Sequence, residues 1–126
     1  MDAPPILSSL KGRPLSERLG FALCGLNRVA RRERSFRTQM LLAASAAAAA
    51  AVLRVEPVWW ALLALSCAVV LALEAANAAL EYAIDWLHPE IAAEIGAAKD
   101  AAAGAVLIAS LGASAVGGLM VVAHLS

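Results

Sequence analysis

Three long stretches of this chain carry no charged residue, and short polar segments separate them. The first is Thr38 to Leu53, half of it alanine. The second begins at Val58 and stays uncharged to Leu73, and its helical pattern continues through Glu74 to about Trp86. The third runs from Ala101 to Ser126. A bilayer core of about 30 Å needs roughly 20 helical residues to cross it. The second and third stretches are long enough. The first is short alone and can draw on Phe36 and on a snorkelling Arg37 or Arg54. Small residues let helices pack closely in lipid, so Ala46 to Ala51 and the glycines at 104, 112, 117 and 118 read as packing faces. Trp59 and Trp60 open the second stretch as an aromatic pair suited to a membrane–water interface.

A different period precedes these runs. Leu15, Leu19, Ala22, Leu23, Leu26 and Val29 recur at steps that place them on one helix face, while Arg18, Arg28, Arg31 and Arg32 take other positions. The pattern predicts an amphipathic helix over about 14–35, with Pro14 at its first turn, lying in the membrane interface. Residues 1–13, with Pro4, Pro5 and Gly12, read as a disordered lead-in. The remainder, 14–126, is expected to be a single domain with spans over about 36–54, 58–86 and 100–124. A cytoplasmic extension ends the second span. Arg54 to Pro57 is a tight connection, and His88 to Ala98 a polar loop. The fold class is an all-α integral membrane protein of three transmembrane helices preceded by an interfacial helix.

Composition strengthens this reading. Of 126 residues, 62% are hydrophobic and the formal net charge is zero; soluble domains sit nearer 45–50% apolar. The charge is unevenly spread. Eight of the ten Lys and Arg lie between Lys11 and Arg37, and past Arg37 only Arg54 and Lys99 are basic against seven acidic residues. A basic arm beside an apolar run marks a cytoplasmic flank facing anionic lipid. The chain therefore reads as a multi-pass membrane protein with its amino end cytoplasmic. Nucleic acid is not an expected partner, because the arm leads straight into a span. Cys24 and Cys67 are expected to stay unpaired, and no cleaved signal peptide is expected.

The candidate chemistry sits where the second apolar run ends. Glu74, Asn77, Glu81 and Asp85 follow one another at steps of three, four and four, which keeps them within roughly 80° on a helix. Ionisable groups at membrane depth are costly and mark function by default. Crowded carboxylates repel, so a cation among them is expected, and magnesium suits carboxylate and phosphate oxygens. Lys99 and Asp100, at the start of the third span, fall on the same membrane side, where a lysine can meet phosphates as a point charge. An ion pair between these two neighbours is the plainer reading. Glu33, where the basic arm meets the first span, would reach the level of Glu81, with a surface pair to Arg34 or Arg37 as its alternative. The phosphate-cradling Gly-x-x-x-x-Gly-Lys-Ser/Thr loop is absent, as is any Ser–His–Asp or Cys–His set.

The segment Glu74 to Asp85, Glu-Ala-Ala-Asn-Ala-Ala-Leu-Glu-Tyr-Ala-Ile-Asp, resembles the signature of the bacterial diacylglycerol kinase family, which includes undecaprenol kinases. Ala98 to Leu107 resembles its second signature at the matching distance, and Glu33-Arg-Ser-Phe-Arg37 resembles the segment before its first span. Phe21, Ala22 and Gly25 match weaker positions. The resemblance implies a homotrimer that transfers the γ-phosphate of ATP to a lipid hydroxyl at the cytoplasmic interface, with Mg2+ as cofactor. It implies Glu74 as the base, Glu33 and Glu81 as magnesium ligands, and Asn77, Glu90, Lys99 and Asp100 around the nucleotide.

This chain departs from the family pattern at Ala78, where a hydroxyl residue is usual, and at Ile91 and Ala92, where Tyr-His often follows the glutamate. Gln39 replaces an acidic residue found in some members. The Ala101 to Leu107 run leans toward an undecaprenol acceptor and the Phe36-Arg37 pair toward diacylglycerol; diacylglycerol, giving phosphatidic acid, is the acceptor taken. A non-enzymatic membrane protein, such as a transporter with an acidic stripe along a cation path, is the reading of a different class. Lys99-Asp100 argues against it, since a phosphate-binding lysine has no role in a cation path.

Overall fold

The computed structural model describes residues 12–126, so most of the expected 1–13 lead-in lies outside the described residues. These residues form four α-helices: α1 (Leu15–Arg32), α2 (Arg34–Leu53), α3 (Pro57–Leu87) and α4 (Ala93–Leu125). The last three are each long and apolar enough to cross a membrane. Helix α2 has 20 residues, about 30 Å at 1.5 Å per residue, so Arg34 to Arg37 supply the length that the uncharged run lacks. Helix α3 has 31 residues, about 46 Å, which exceeds the hydrocarbon thickness by several turns.

The helix expected over about 14–35 ends at Arg32, and the span expected from about 36 starts at Arg34. Glu33 leaves helical geometry, at φ −100° and ψ 113°, and separates α1 from α2. The cause is a side chain further on. Arg37 reaches back and donates from Nη1 to the carbonyls of Ala30 and Arg31, both at 2.9 Å. Those carbonyls are orphans of the last turn of α1, and a basic group at a helix C-terminus also meets its dipole favourably. Glu33 N–H still bonds Val29 O at 2.7 Å. The chain thus turns at one residue and starts again.

At the other end of α2, Arg54 adopts the left-handed conformation, and Arg54 and Val55 N–H bond back to Ala51 O and Ala50 O. Pro57 then begins α3 at a position that needs no N–H. After α3, Pro89 ends the helix by blocking continuation. Helix α4 starts at Ala93, earlier than the polar loop expected through Ala98. The residues from Ala93 to Asp100 are mainly good helix formers, and Glu94 in the first turn meets the positive end of the helix dipole.

Helices α3 and α4 share the largest interface, and α2 packs against both. Two small cores result. At one end Ala50, Val55, Leu63 and Met120 are buried together. At the other Val29, Phe36 and Ala78 meet, which docks the end of α1 on α3. The rest of the apolar face of α1 is uncovered, with Leu15, Leu19, Leu23 and Leu26 exposed. The glycines of α4 are not close-approach points within this chain: a Cβ built at Gly104, Gly112, Gly117 or Gly118 meets no atom within 4 Å. Cys24 and Cys67 are both free thiols.

Candidate functional site

The break at Glu33 and the long α3 bring polar groups of three helices to one end of the bundle. Counting 1.5 Å per residue from Pro57, Glu74 stands about 26 Å along α3 and Asp85 about 42 Å. Glu74 is therefore near the edge of a hydrocarbon layer and Asp85 well beyond it. Glu74 is 6% exposed, the one buried charged residue among those described. Its Oε2 accepts a hydrogen bond from the Ser35 hydroxyl at 3.1 Å, across from the first turn of α2. A buried carboxylate without a donor would be severely penalised, so Ser35 makes this position tolerable.

One turn nearer the loop, Asn77 Nδ2 lies 3.5 Å from Glu81 Oε1, a long contact at the limit of a hydrogen bond. Asn77 Oδ1 is buried and has no partner. Glu33 does not pair with Arg34 or Arg37, as the plainer expectation had it. Instead Tyr82, the residue after Glu81, donates its hydroxyl to Glu33 Oε1 at 2.5 Å. Arg32 lies over the Tyr82 ring, 4.6 Å from its centroid. The junction between α1 and α2 is thus fixed to α3 at Tyr82. Lys99 pairs across helices with Asp85, Nζ to Oδ1 3.0 Å, rather than with its neighbour Asp100.

The stripe expected to crowd its carboxylates distributes them instead. Glu74 is bonded to Ser35, Glu81 to Asn77 and Asp85 to Lys99. Among the described residues no three His, Cys, Asp or Glu side chains converge into a metal cage. Glu90 lies apart on the loop between α3 and α4, its carboxylate 3.9 Å from His88 Nδ1. Asp100 is exposed beside Lys99. The structure thus gathers Glu33, Glu74, Asn77, Glu81 and Lys99 at one end, and leaves Glu90 and Asp100 on its rim.

Ser35 and Tyr82 were not among the residues singled out from the sequence. Tyr82 lies about 100° around α3 from Glu81, so the spacing of the stripe gives no signal for it. Ser35 gives none either, because its partner is 39 residues away. Deeper in the bundle, a largely apolar cavity of about 430 Å3 opens between α2, α3 and α4. Its upper rim is Gln39, one turn below Ser35, whose Nε2 donates to the Ser110 hydroxyl at 3.1 Å.

Residues 20–121 match the family described as prokaryotic diacylglycerol kinase. A diacylglycerol kinase of Synechocystis sp. is 35% identical over 101 residues, a match covering 79% of this chain and 58% of that protein. The chain therefore spans less than two thirds of that relative's length.

Proposed function

The chain belongs to the prokaryotic diacylglycerol kinase family, and from that premise we propose that it phosphorylates the free hydroxyl of diacylglycerol with ATP, giving phosphatidic acid. The observation that carries the reading is Glu74: a buried carboxylate where apolar helix meets the polar end, held through one oxygen by Ser35. A lipid hydroxyl anchored in the bilayer reaches that depth, whereas a fully soluble substrate reaches the level of Glu81 and Asp85. The hydroxyl oxygen attacks the γ-phosphorus as the bond to the β-phosphate oxygen breaks, and ADP leaves. The hydroxyl proton passes to Glu74, through Oε1, since Ser35 holds Oε2. The cavity below suits an acyl chain.

Glu33 and Glu81 are the proposed ligands of Mg2+. Magnesium typically takes one or two carboxylates and completes its shell with water and phosphate oxygens, so two carboxylates would be enough to hold it. The unpartnered Asn77 Oδ1 is a further hard oxygen at that level. When bound, the ion neutralises charge on the β- and γ-phosphates. Lys99, released from Asp85, meets phosphate as a point charge, and Asp100 and Glu90 border the nucleotide from the rim. We place the site on the cytoplasmic side of the inner membrane, following the Lys11 to Arg37 charge excess. A homotrimer accounts for part of the apolar surface that one chain leaves exposed.

The test is transfer of label from γ-labelled ATP to lipid by purified protein in lipid–detergent micelles with magnesium. Labelled phosphatidic acid supports the proposal. Label on undecaprenol alone reassigns the acceptor within the family. No label on either lipid rejects the kinase reading and favours the cation-path alternative.

A further inference from the structure

The opposite end of the bundle holds an ion pair that the kinase reading does not use. His124, in the last turn of α4, has oxygen acceptors on both ring nitrogens. Nδ1 lies 2.7 Å from the Met120 carbonyl and Nε2 lies 2.8 Å from Glu56 Oε2. A carbonyl oxygen can only accept, and an ionised carboxylate can only accept. A neutral imidazole carries one N–H, so it satisfies one of these contacts and sets a lone pair against the other oxygen. Both bonds form together only when an additional proton is present, which gives imidazolium beside carboxylate.

We propose that His124 and Glu56 form a proton-operated latch between the last turn of α4 and the turn that joins α2 to α3. The surroundings make the pair mechanically relevant. The His124 side chain is 15% exposed, against 66% for Glu56, so the ring is the packed partner. Trp59, on the first turn of α3, meets the ring edge-on with centroids 5.9 Å apart. Met120, whose carbonyl the ring engages, is fully buried against Ala50, Val55 and Leu63. Of the charged groups at this end, Glu56 faces the ring. Arg54, on the same turn, is the other charged side chain there, and α2 and α3 bring none to this level. Leu125 and Ser126 add no titratable side chain.

The sign follows from the geometry. With His124 protonated and Glu56 ionised, both contacts are hydrogen bonds and α4 is closed on the turn. As pH rises through the imidazole titration, one donor is lost, and the last turn of α4 is held by one bond instead of two. The latch is independent of the kinase reading, since none of its residues belongs to the proposed site.

The experiment uses the full chain, 15N-labelled, in lipid nanodiscs. Ring 15N shifts of His124 are followed from pH 5 to 9, together with amide exchange at residues 121–125 corrected for its intrinsic pH dependence. The expected result is a doubly protonated ring at pH 6. Exchange at 121–125 should rise several-fold as the ring deprotonates. In Glu56→Gln the ring midpoint should fall by about one unit, because the carboxylate that favours the charged ring is gone. In His124→Gln, which retains a side-chain donor but does not titrate, corrected exchange should be flat with pH. A ring already neutral at pH 6, a midpoint unmoved by Glu56→Gln, or wild-type exchange that ignores the titration would each overturn the latch.

Discussion

The Tyr82 hydroxyl donates to Glu33 Oε1 at 2.5 Å, joining the hinge between α1 and α2 to the outer half of α3. Glu33 is held there by its backbone as well, since Arg37 terminates α1 one residue before it. Two independent restraints therefore fix one carboxylate against Tyr82 of α3. Hydrogen bonds to charged groups are worth about 1.5–3 kcal/mol. Tyr82→Phe keeps the ring under Arg32 and removes only the donor. The magnesium concentration for half-maximal activity should rise about ten-fold, with lipid dependence little changed. Glu33→Gln and Glu81→Gln should shift the same titration. Unchanged magnesium dependence in all three variants would remove Glu33 and Glu81 from the metal role.

The three spans were legible because hydropathy is a sum over twenty or more residues, and no local detail reverses it. The stripe at Glu74, Asn77 and Glu81 was legible because it lies on one helix. What escaped was everything decided across helices. The basic arm reads as meeting the first span near Glu33, but its pattern carries the helix on to about 35; Arg37, from the next helix, meets the last carbonyls of α1 and ends it at Arg32. Lys99 lies beside Asp100 in sequence, yet helix α4 turns its ammonium toward Asp85. Ser35 and Tyr82 take their meaning from partners 39 and 49 residues away.

The Lys99–Asp85 pair is well exposed, with side-chain exposures of 34% and 64%. Such pairs contribute about 0–1 kcal/mol, so Asp85 does little to hold Lys99 back from a phosphate. Asp85→Asn should change KM for ATP by less than about three-fold, which is what so small a coupling allows. Lys99→Met should raise it about ten-fold or more, the loss of a charge-assisted contact. Equal effects in the two variants would make the pair structural.

Arg54 is the one non-glycine residue with positive φ among those described, at φ 53° and ψ 48°. The left-handed region costs a side-chain-bearing residue roughly 1–2 kcal/mol, and glycine escapes this at some cost in chain entropy. Arg54→Gly should raise stability by about 0.5–1 kcal/mol, read from reversible unfolding in mixed micelles. A loss of stability would mean that the arginine head group makes a compensating contact with lipid.

Glu56 titrates below its ordinary value of 4.5, chiefly because its own backbone N–H bonds the carboxylate, and secondly through His124. A carboxyl depressed in the folded state contributes stability that is present above its unfolded pKa and is lost as pH falls through the folded value. Wild type should therefore lose thermal stability as pH falls below about 4.5, relative to Glu56→Gln. Parallel curves for the two proteins over that range would show that Glu56 brings no such contribution.

Glu74 and Ser35 separate a base from a structural carboxylate. If Glu74 takes the hydroxyl proton, Glu74→Gln removes the basic oxygen while its amide still meets Ser35. A positioned base contributes about 10²–10⁴-fold, so turnover should fall by that factor while ATP affinity and the elution volume of the assembled protein hold. Ser35→Ala acts differently. It leaves both Glu74 oxygens in place and removes one hydrogen bond to the carboxylate, worth about 1.5–3 kcal/mol, so turnover should fall by less than in Glu74→Gln. If Ser35→Ala and Glu74→Gln both unfold the assembly, the contact between α2 and α3 is structural. If Glu74→Gln turns over near normally, the proton goes elsewhere.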